Sequence, residues 1–302
     1  MNNYITRIHL KIKDSPREKL IDYCLASEKQ CLAIGWSGFY ENNEIADYDQ
    51  YYKCCNESYK KSKERMNPVL NVFKNVTADD LFWTRDLDGF YWICRAKDSA
   101  KAKYVEEYKI GAVIYVEAYK VGMEVPGQIK ASFNRPSGGT SERISNEKIV
   151  EYSKYIYNKC SGKNYYDFKI INGNIIDNLS DFDLEELVVS YIQLKHNYYV
   201  LSNSIAKKST TIKIECEFMS RDKNCLSKAV VQVKAKQGRI KASEYRKFSE
   251  AGYTVFLYCE NTEIDGEYEN FVYITKEELN SFYYEYKNML PESITKWEEL
   301  IK

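Results

Sequence analysis

Glu215, Glu217, Gln232 and Lys234 are the residues whose types and spacing bear most directly on chemistry. Ile212, Ile214, Cys216 and Phe218 alternate with Lys213, Glu215 and Glu217, a period of two that predicts a strand with both glutamates on one face. A polar, charged turn follows. Ala229 to Lys234 then predicts a second strand on which Gln232 and Lys234 share a face. A carboxylate and an amide carbonyl are hard oxygen ligands suited to Mg²⁺ (or Mn²⁺), and a lysine beside them can orient an attacking water and offset charge on a phosphate. A bland reading competes: Gln232 and Lys234 also fit the solvated face of a half-buried strand, and Glu215 with Glu217 the charged side of an edge strand.

The constellation of Glu215 (or Glu217), Gln232-Val233-Lys234, a basic loop and a helix from Ala242 to Glu250 resembles the PD-(D/E)XK nuclease superfamily. Its Gln-x-Lys form is similar to that of Mrr-like, type IV restriction endonucleases. The resemblance spans roughly residues 166 to 280, and the chain departs from the pattern in carrying Glu where the strand acid is usually Asp. It implies an α/β fold with a central mixed sheet, Mg²⁺ bound by Glu215 and Gln232, assistance from Glu217, and Lys234 as the positioner of water. It also implies a preceding helix that contributes a further glutamate, which Glu186 in Asp183-Leu184-Glu185-Glu186-Leu187-Val188-Val189 would supply. Glu186 has a second reading, as the N3 partner of an Asp183 N-cap.

The elements that must position these residues belong to a chain of 302 residues with 44% hydrophobic content, enough for two cores. Formal net charge is zero, so no polybasic character marks the whole chain as a nucleic-acid binder. The distribution is uneven. Between Asn203 and Glu250 there are twelve Lys or Arg against five Asp or Glu, whereas 260–302 holds four against eleven. The basic segment coincides with the expected site, and Lys236 and Arg239 within it are candidates for phosphate contact. Nine cysteines without a Cys-x-x-Cys pair, and only two histidines, argue against a zinc site or a Cys/His nucleophile. No apolar stretch approaches ~18 residues and no signal-peptide plan opens the chain. A cytoplasmic protein with no membrane partner is the expectation.

In the first half, Tyr4 to Ile12 and Cys31 to Ser37 read as strands, Pro16 to Ser27 and Asp47 to Arg65 as helices. Asp80 to Asp86 and Phe90 to Arg95 flank the turn pair Asp88-Gly89 as a hairpin, and Gly111 to Tyr119 and Val125 to Phe133 read as further strands. Short strands with few helices within about 140 residues suggest a small barrel. The loop Arg135 to Ser141 is the Gly/Ser-dense run, better suited to a turn than to a P-loop. Asn146 to Cys160 reads as a helix ended by Ser161-Gly162-Lys163-Asn164.

Gly35-Trp36, Asp79 to Arg85 followed by Gly89-Phe90-Tyr91-Trp92, and Glu124-Val125-Pro126-Gly127 leading into Phe133 resemble the EVE and related PUA-like barrels that bind modified bases. That resemblance implies an aromatic pocket for a base extruded from the duplex. Trp36, Phe39, Trp83, Tyr91 and Trp92 are the available stacking groups, with Arg85 and Arg95 toward flanking phosphates. Aromatics in strands are also ordinary core residues. Together the readings give a mainly β, PUA-like (α+β) base-reading domain over 1–145, a helical linker over 146–165 and an α/β nuclease domain over 166–302. The expected function is that of a modification-dependent restriction endonuclease acting on DNA that carries a modified base, as a homodimer so that both strands are cut. A non-catalytic binder of modified DNA or RNA, and an anti-phage effector nuclease switched on by a small ligand, are the alternatives.

Overall fold

The computed structural model describes residues 3–135, 138–169, 173–205, 214–234, 239–259, 262–263, 266 and 268–301. Its contacts divide the chain into two units, Met1–Val125 with Ile129–Lys169, and Pro126–Gln128 with Ile170–Lys302. Both are mixed α/β. Among the described residues no helix is long and apolar enough to cross a membrane.

The first unit runs β1 (Ile5–Ile8), α1 (Arg17–Leu25), β2 (Cys31–Ile34), α2 (Tyr48–Ser58), α3 (Lys63–Lys74), β3 (Leu81–Arg85), β4 (Tyr91–Ala96), β5 (Lys101–Val105), β6 (Ile110–Gly122), α4 (Gly127–Asn134, of this unit from Ile129 onward), β7 (Ser141–Ile144) and α5 (Glu147–Ser161). The strands form one curled, mixed sheet in the order β2-β6-β4-β3-β1-β7, with β5 also paired to β6. Its thirteen-residue β6 joins the two halves, pairing β2 and β5 early and β4 late. The expected barrel is corrected to an open half-barrel, because helices occupy both faces. On one face Leu20, Tyr51, Leu70 and Phe73 of α1–α3 bury against Leu32, Phe82, Cys94 and Ile114. On the other, Trp83 points away from Phe82 by alternation, and its indole Nε1 donates to Ser153 Oγ of α5 at 2.9 Å.

Two local expectations also change. Val125 to Phe133 is not a strand: Pro126 precedes α4, whose buried Ile129, Ser132 and Phe133 recur at helical, not strand, spacing. The single helix over Asp47 to Arg65 is two, α2 breaking at Tyr59 and α3 continuing through Pro68. α5 meets its expectation closely. Asn146 caps it by accepting from the Lys148 amide, and Gly162 in the left-handed region ends it.

The second unit runs α6 (Ile175–Asn178), α7 (Asp181–Lys195), β8 (Tyr198–Val200), α8 (Ser202–Ile205), β9 (Cys216–Ser220), β10 (Lys228–Lys234), β11 (Ile240–Lys241), α9 (Arg246–Glu250), β12 (Tyr253–Cys259), β13 (Thr262–Glu263), β14 (Phe271–Ile274), α10 (Lys276–Tyr286) and α11 (Glu292–Thr295). β8, β9 and β10 form an antiparallel meander; β12 and β14 continue the sheet in parallel. A 3₁₀ turn at Ala242–Tyr245 followed by α9 makes the crossover from β10 to β12. The N-cap of α7 is Ser180, whose side chain accepts from the Asp183 amide. Asp183 is therefore the N3 residue, not the cap, and the expected Asp183–Glu186 capping box is not formed.

Candidate active site

Register brings the acid and the amide together. Val231 lies opposite Cys216 and Val230 opposite Glu217, and one step beyond that ladder the Glu215 amide donates to Val231 O at 2.8 Å. Glu215 thus arrives beside Gln232, whose Nε2 donates to Glu215 Oε1 and to Val233 O, both at 2.9 Å. Carboxylate and carbonyl only accept, so this orientation of the amide is the one that satisfies both. Gln232 is 3% exposed, and a buried amide must be partnered in this way. Both Nε2 hydrogens being used, Oε1 is the atom that can face a cation.

Lys234 stands two residues along the same face, exposed, its side chain with no hydrogen bond or ion pair to a described residue. No protein-family model, curated protein or solved structure matches this chain. What the site can do must therefore be read from its own geometry.

Glu217 sits one pair further from Lys234, its amide donating to Ser204 Oγ at 2.9 Å. Of the two strand acids, Glu215 is the one that meets Gln232. Glu186 is exposed on α7, which packs on β10. Burial, and then the charges of Glu215, Glu186, Glu185 and Glu217, push the Cys216 thiol up to about 12. Among the described residues no three or more of His, Cys, Asp and Glu are grouped to hold a metal ion. Glu215 and the Gln232 carbonyl remain as two adjacent hard oxygens. That fits Mg²⁺, which keeps most of its waters and takes few protein ligands.

Tyr245, which sequence reading does not single out, closes the same face. It is buried with Val230, Val255 and Leu257, and burial, then the charges of Glu244 and Glu215, push its hydroxyl up to about 12. No sequence signal separates it from the other 27 of the 28 tyrosines. Arg239 is exposed where the chain enters β11; Lys236 lies outside the described residues.

The first unit disperses the expected stacking groups. Phe39, Trp83 and Tyr91 are core residues. Trp92 is half-buried, its Nε1 held by Asp86 Oδ2 at 2.9 Å, and alternation turns it away from Trp83. They form no common pocket. Depressions in this unit beside Tyr4 and Phe82 and beside Tyr4 and Val150 include none of the five.

Trp36 differs. It is half-exposed at φ 60°, a conformation a bulky residue adopts only when its surroundings impose it. They do: Tyr51 Oη donates to Gly35 O, Cys55 Sγ to Trp36 O at 3.9 Å, and Ser37 Oγ to Lys109 O at 3.1 Å. Of the two arginines, Arg95 is engaged by Asp79 at 2.6 Å and Glu117 at 2.7 Å and lies 4.0 Å from the Tyr165 ring centroid. Burial pulls the Glu117 carboxyl up, and hydrogen bonds from Arg95, Tyr119 and Tyr157 overrule it, holding it at about 2. Arg95 is thus held in an ion pair with two carboxylates. Arg85 has no carboxylate partner among the described residues, only Asn134 Oδ1 at 2.8 Å and Tyr91 Oη at 3.3 Å.

Proposed function

We propose that the second unit is a Mg²⁺-dependent nuclease of the PD-(D/E)XK type that hydrolyses DNA, with the first unit presenting Trp36 to a base. The observation that carries the reading is the Glu215–Gln232 contact at 2.9 Å with exposed Lys234 two residues along the same face. Its support is the order of elements: a helix, an acid-bearing strand, an antiparallel Gln-x-Lys strand, a helical crossover and a parallel strand.

Glu215 and Gln232 Oε1 would hold the cation, and the Gln232 Nε2 bond keeps the carboxylate turned toward it. The bound ion would supply Lewis-acid polarisation of a phosphoryl oxygen and a more acidic water. Lys234 hydrogen-bonds the attacking water and its ammonium offsets the charge that builds on the phosphoryl oxygens. Water oxygen bonds to phosphorus and gives up a proton to solvent, the ester P–O bond breaks, and the strand oxygen leaves with the bonding pair and takes a proton from solvent. Double-strand cleavage requires two such sites, hence a homodimer on DNA.

The test is cleavage of modified and unmodified duplexes with Mg²⁺ and with EDTA. Lys234→Ala and Glu215→Ala are expected to lose ~100-fold or more in rate, the scale of removing one transition-state contact, with Tm unchanged in Lys234→Ala and lowered in Glu215→Ala, where buried Gln232 Nε2 loses a partner. Glu217→Ala should retain most activity. Cleavage surviving in Lys234→Ala would remove the assignment.

A further inference from the structure

A concentration of unneutralised positive charge in the first unit has no part in the Glu215–Lys234 site. Its geometry is set by one buried ring. Phe133, on α4, has the His9 ring at 5.1 Å, the Arg85 guanidinium at 5.4 Å and that of Arg7 at 5.7 Å, all measured to its centroid. Arg7 lies beside Trp83 in the parallel β1–β3 register, and Arg85 two residues further along β3 on the same face. Arg7 has a side chain 0% exposed and is consumed by Glu142 at 2.8 Å and Gly139 O at 2.6 Å. Glu142 is shared with Arg135 at 3.0 Å, so one carboxylate faces two guanidinium groups.

Nothing comparable faces the others. Arg85, together with exposed Lys11 and Arg17, pairs with no carboxylate among the described residues, and the ring nitrogens of His9 hydrogen-bond to none of them. Like charges gathered without counter-charge repel one another, and an anion relieves that repulsion.

We propose that Arg85 and His9, with Lys11 and Arg17 at the rim and buried Arg7 behind, form a second phosphate-binding site, for the backbone of the DNA substrate. The proposal rests on DNA as ligand but not on cleavage. Burial first, and then the charges of Arg7, Arg17, Arg85 and Lys11, hold the His9 imidazole down at about 4. It is therefore neutral at pH 7, a hydrogen-bond donor to a phosphate oxygen rather than an ion. Arg85 offers guanidinium N–H groups in the fork that matches a phosphate. Of the two arginines in the first unit expected to touch phosphates, this selects Arg85.

The experiment measures binding of a labelled DNA duplex to the full chain in EDTA, where cleavage plays no part, over a range of NaCl concentrations. Each phosphate contact contributes a slope of about 0.9 in log K against log salt. Arg85→Gln, and separately the double variant Lys11→Gln/Arg17→Gln, are expected to weaken binding on the order of tenfold at 0.1 M salt and to lower the slope by about one for every phosphate that is no longer engaged. Lys60→Gln, an exposed lysine outside the cluster, should change neither. Unchanged affinity and slope in both cluster variants would overturn the site while leaving the nuclease reading standing. A second arm follows thermal stabilisation by inorganic phosphate against chloride at equal ionic strength. Phosphate stabilisation lost in Arg85→Gln with DNA binding intact would make this a site for a free phosphate, and overturn the DNA assignment. Loss of binding in the cluster variants with Lys234→Ala still binding DNA would separate this site from the catalytic one.

Discussion

Gln232 and Lys234 are legible from alternation alone, because a period of two says which residues share a face. It does not say which face is covered. That is why Trp83 and Tyr91, equally well placed in a strand pattern, turn out to be core, while Trp36, in no regular element, stays half-exposed. Its strain is the part no sequence pattern states, since φ 60° at a tryptophan arises from Tyr51, Cys55 and Ser37 closing around it. If Trp36 stacks on a base, Trp36→Ala should cost binding to a modified duplex about 1–3 kcal/mol. Salt-dependent affinity for plain DNA should persist. Fluorescence titration of matched duplexes measures the difference, and a wild type without preference for any modified base removes the reader role. His9 gives a second handle at this scale. Its folded pKa, about 4, lies below its ordinary 6.5, so as pH falls the unfolded chain takes the proton first. The stabilisation is complete above about 6.5 and is lost as pH falls from 6.5 to 4. His9→Gln should flatten the dependence of unfolding free energy on pH within that window, read by urea titration; identical slopes would sink it.

Elements with strong local signals are readable: the β3–β4 hairpin, α1 opening at Pro16, and α5 between Asn146 and Gly162. Those decided by packing are not. Val125 to Phe133 is apolar enough for strand or helix, and only the burial of Ile129 with Phe133 shows the helical period of α4. The N-cap of α7 lies three residues before the expected one, since both Ser180 and Asp183 are good caps and only the structure shows which accepts from an amide of the helix's first turn. A stricter constraint holds β6 against β2. At Gly111 a Cβ would meet the Tyr51 ring at 2.6 Å and Gly35 O at 2.8 Å. Gly111→Ala is expected to destabilise the first unit by about 1–3 kcal/mol through overpacking. The Trp36 emission should shift as its backbone clamp loosens, whereas an unchanged spectrum and stability would show that the approach is not tight.

For the whole chain, zero net charge conceals its own partition, and the basic segment from Asn203 to Glu250 carries Lys234 and Arg239. The nine cysteines are free: six are buried, Cys54 and Cys160 are half-buried, and Cys225 is exposed in the β9–β10 turn. Native alkylation followed by mass spectrometry should modify Cys225 first, then Cys54 and Cys160, with the six buried thiols reacting only on denaturation. Early labelling of Cys216 would contradict the burial of β9.

The candidate site also inherits a property of the strand that carries it. β10 is interior to its sheet, all seven of its residues paired with β12 and four of them with β9. Amides held on both sides by ladders exchange with deuterium only through the largest openings of a unit. The backbone under Gln232 should therefore be among the last in the second unit to take up label. A side chain on such a strand arrives already ordered, so DNA binding would spend none of its free energy arranging it. Loss of the site's geometry on heating should then coincide with global melting of that unit instead of preceding it.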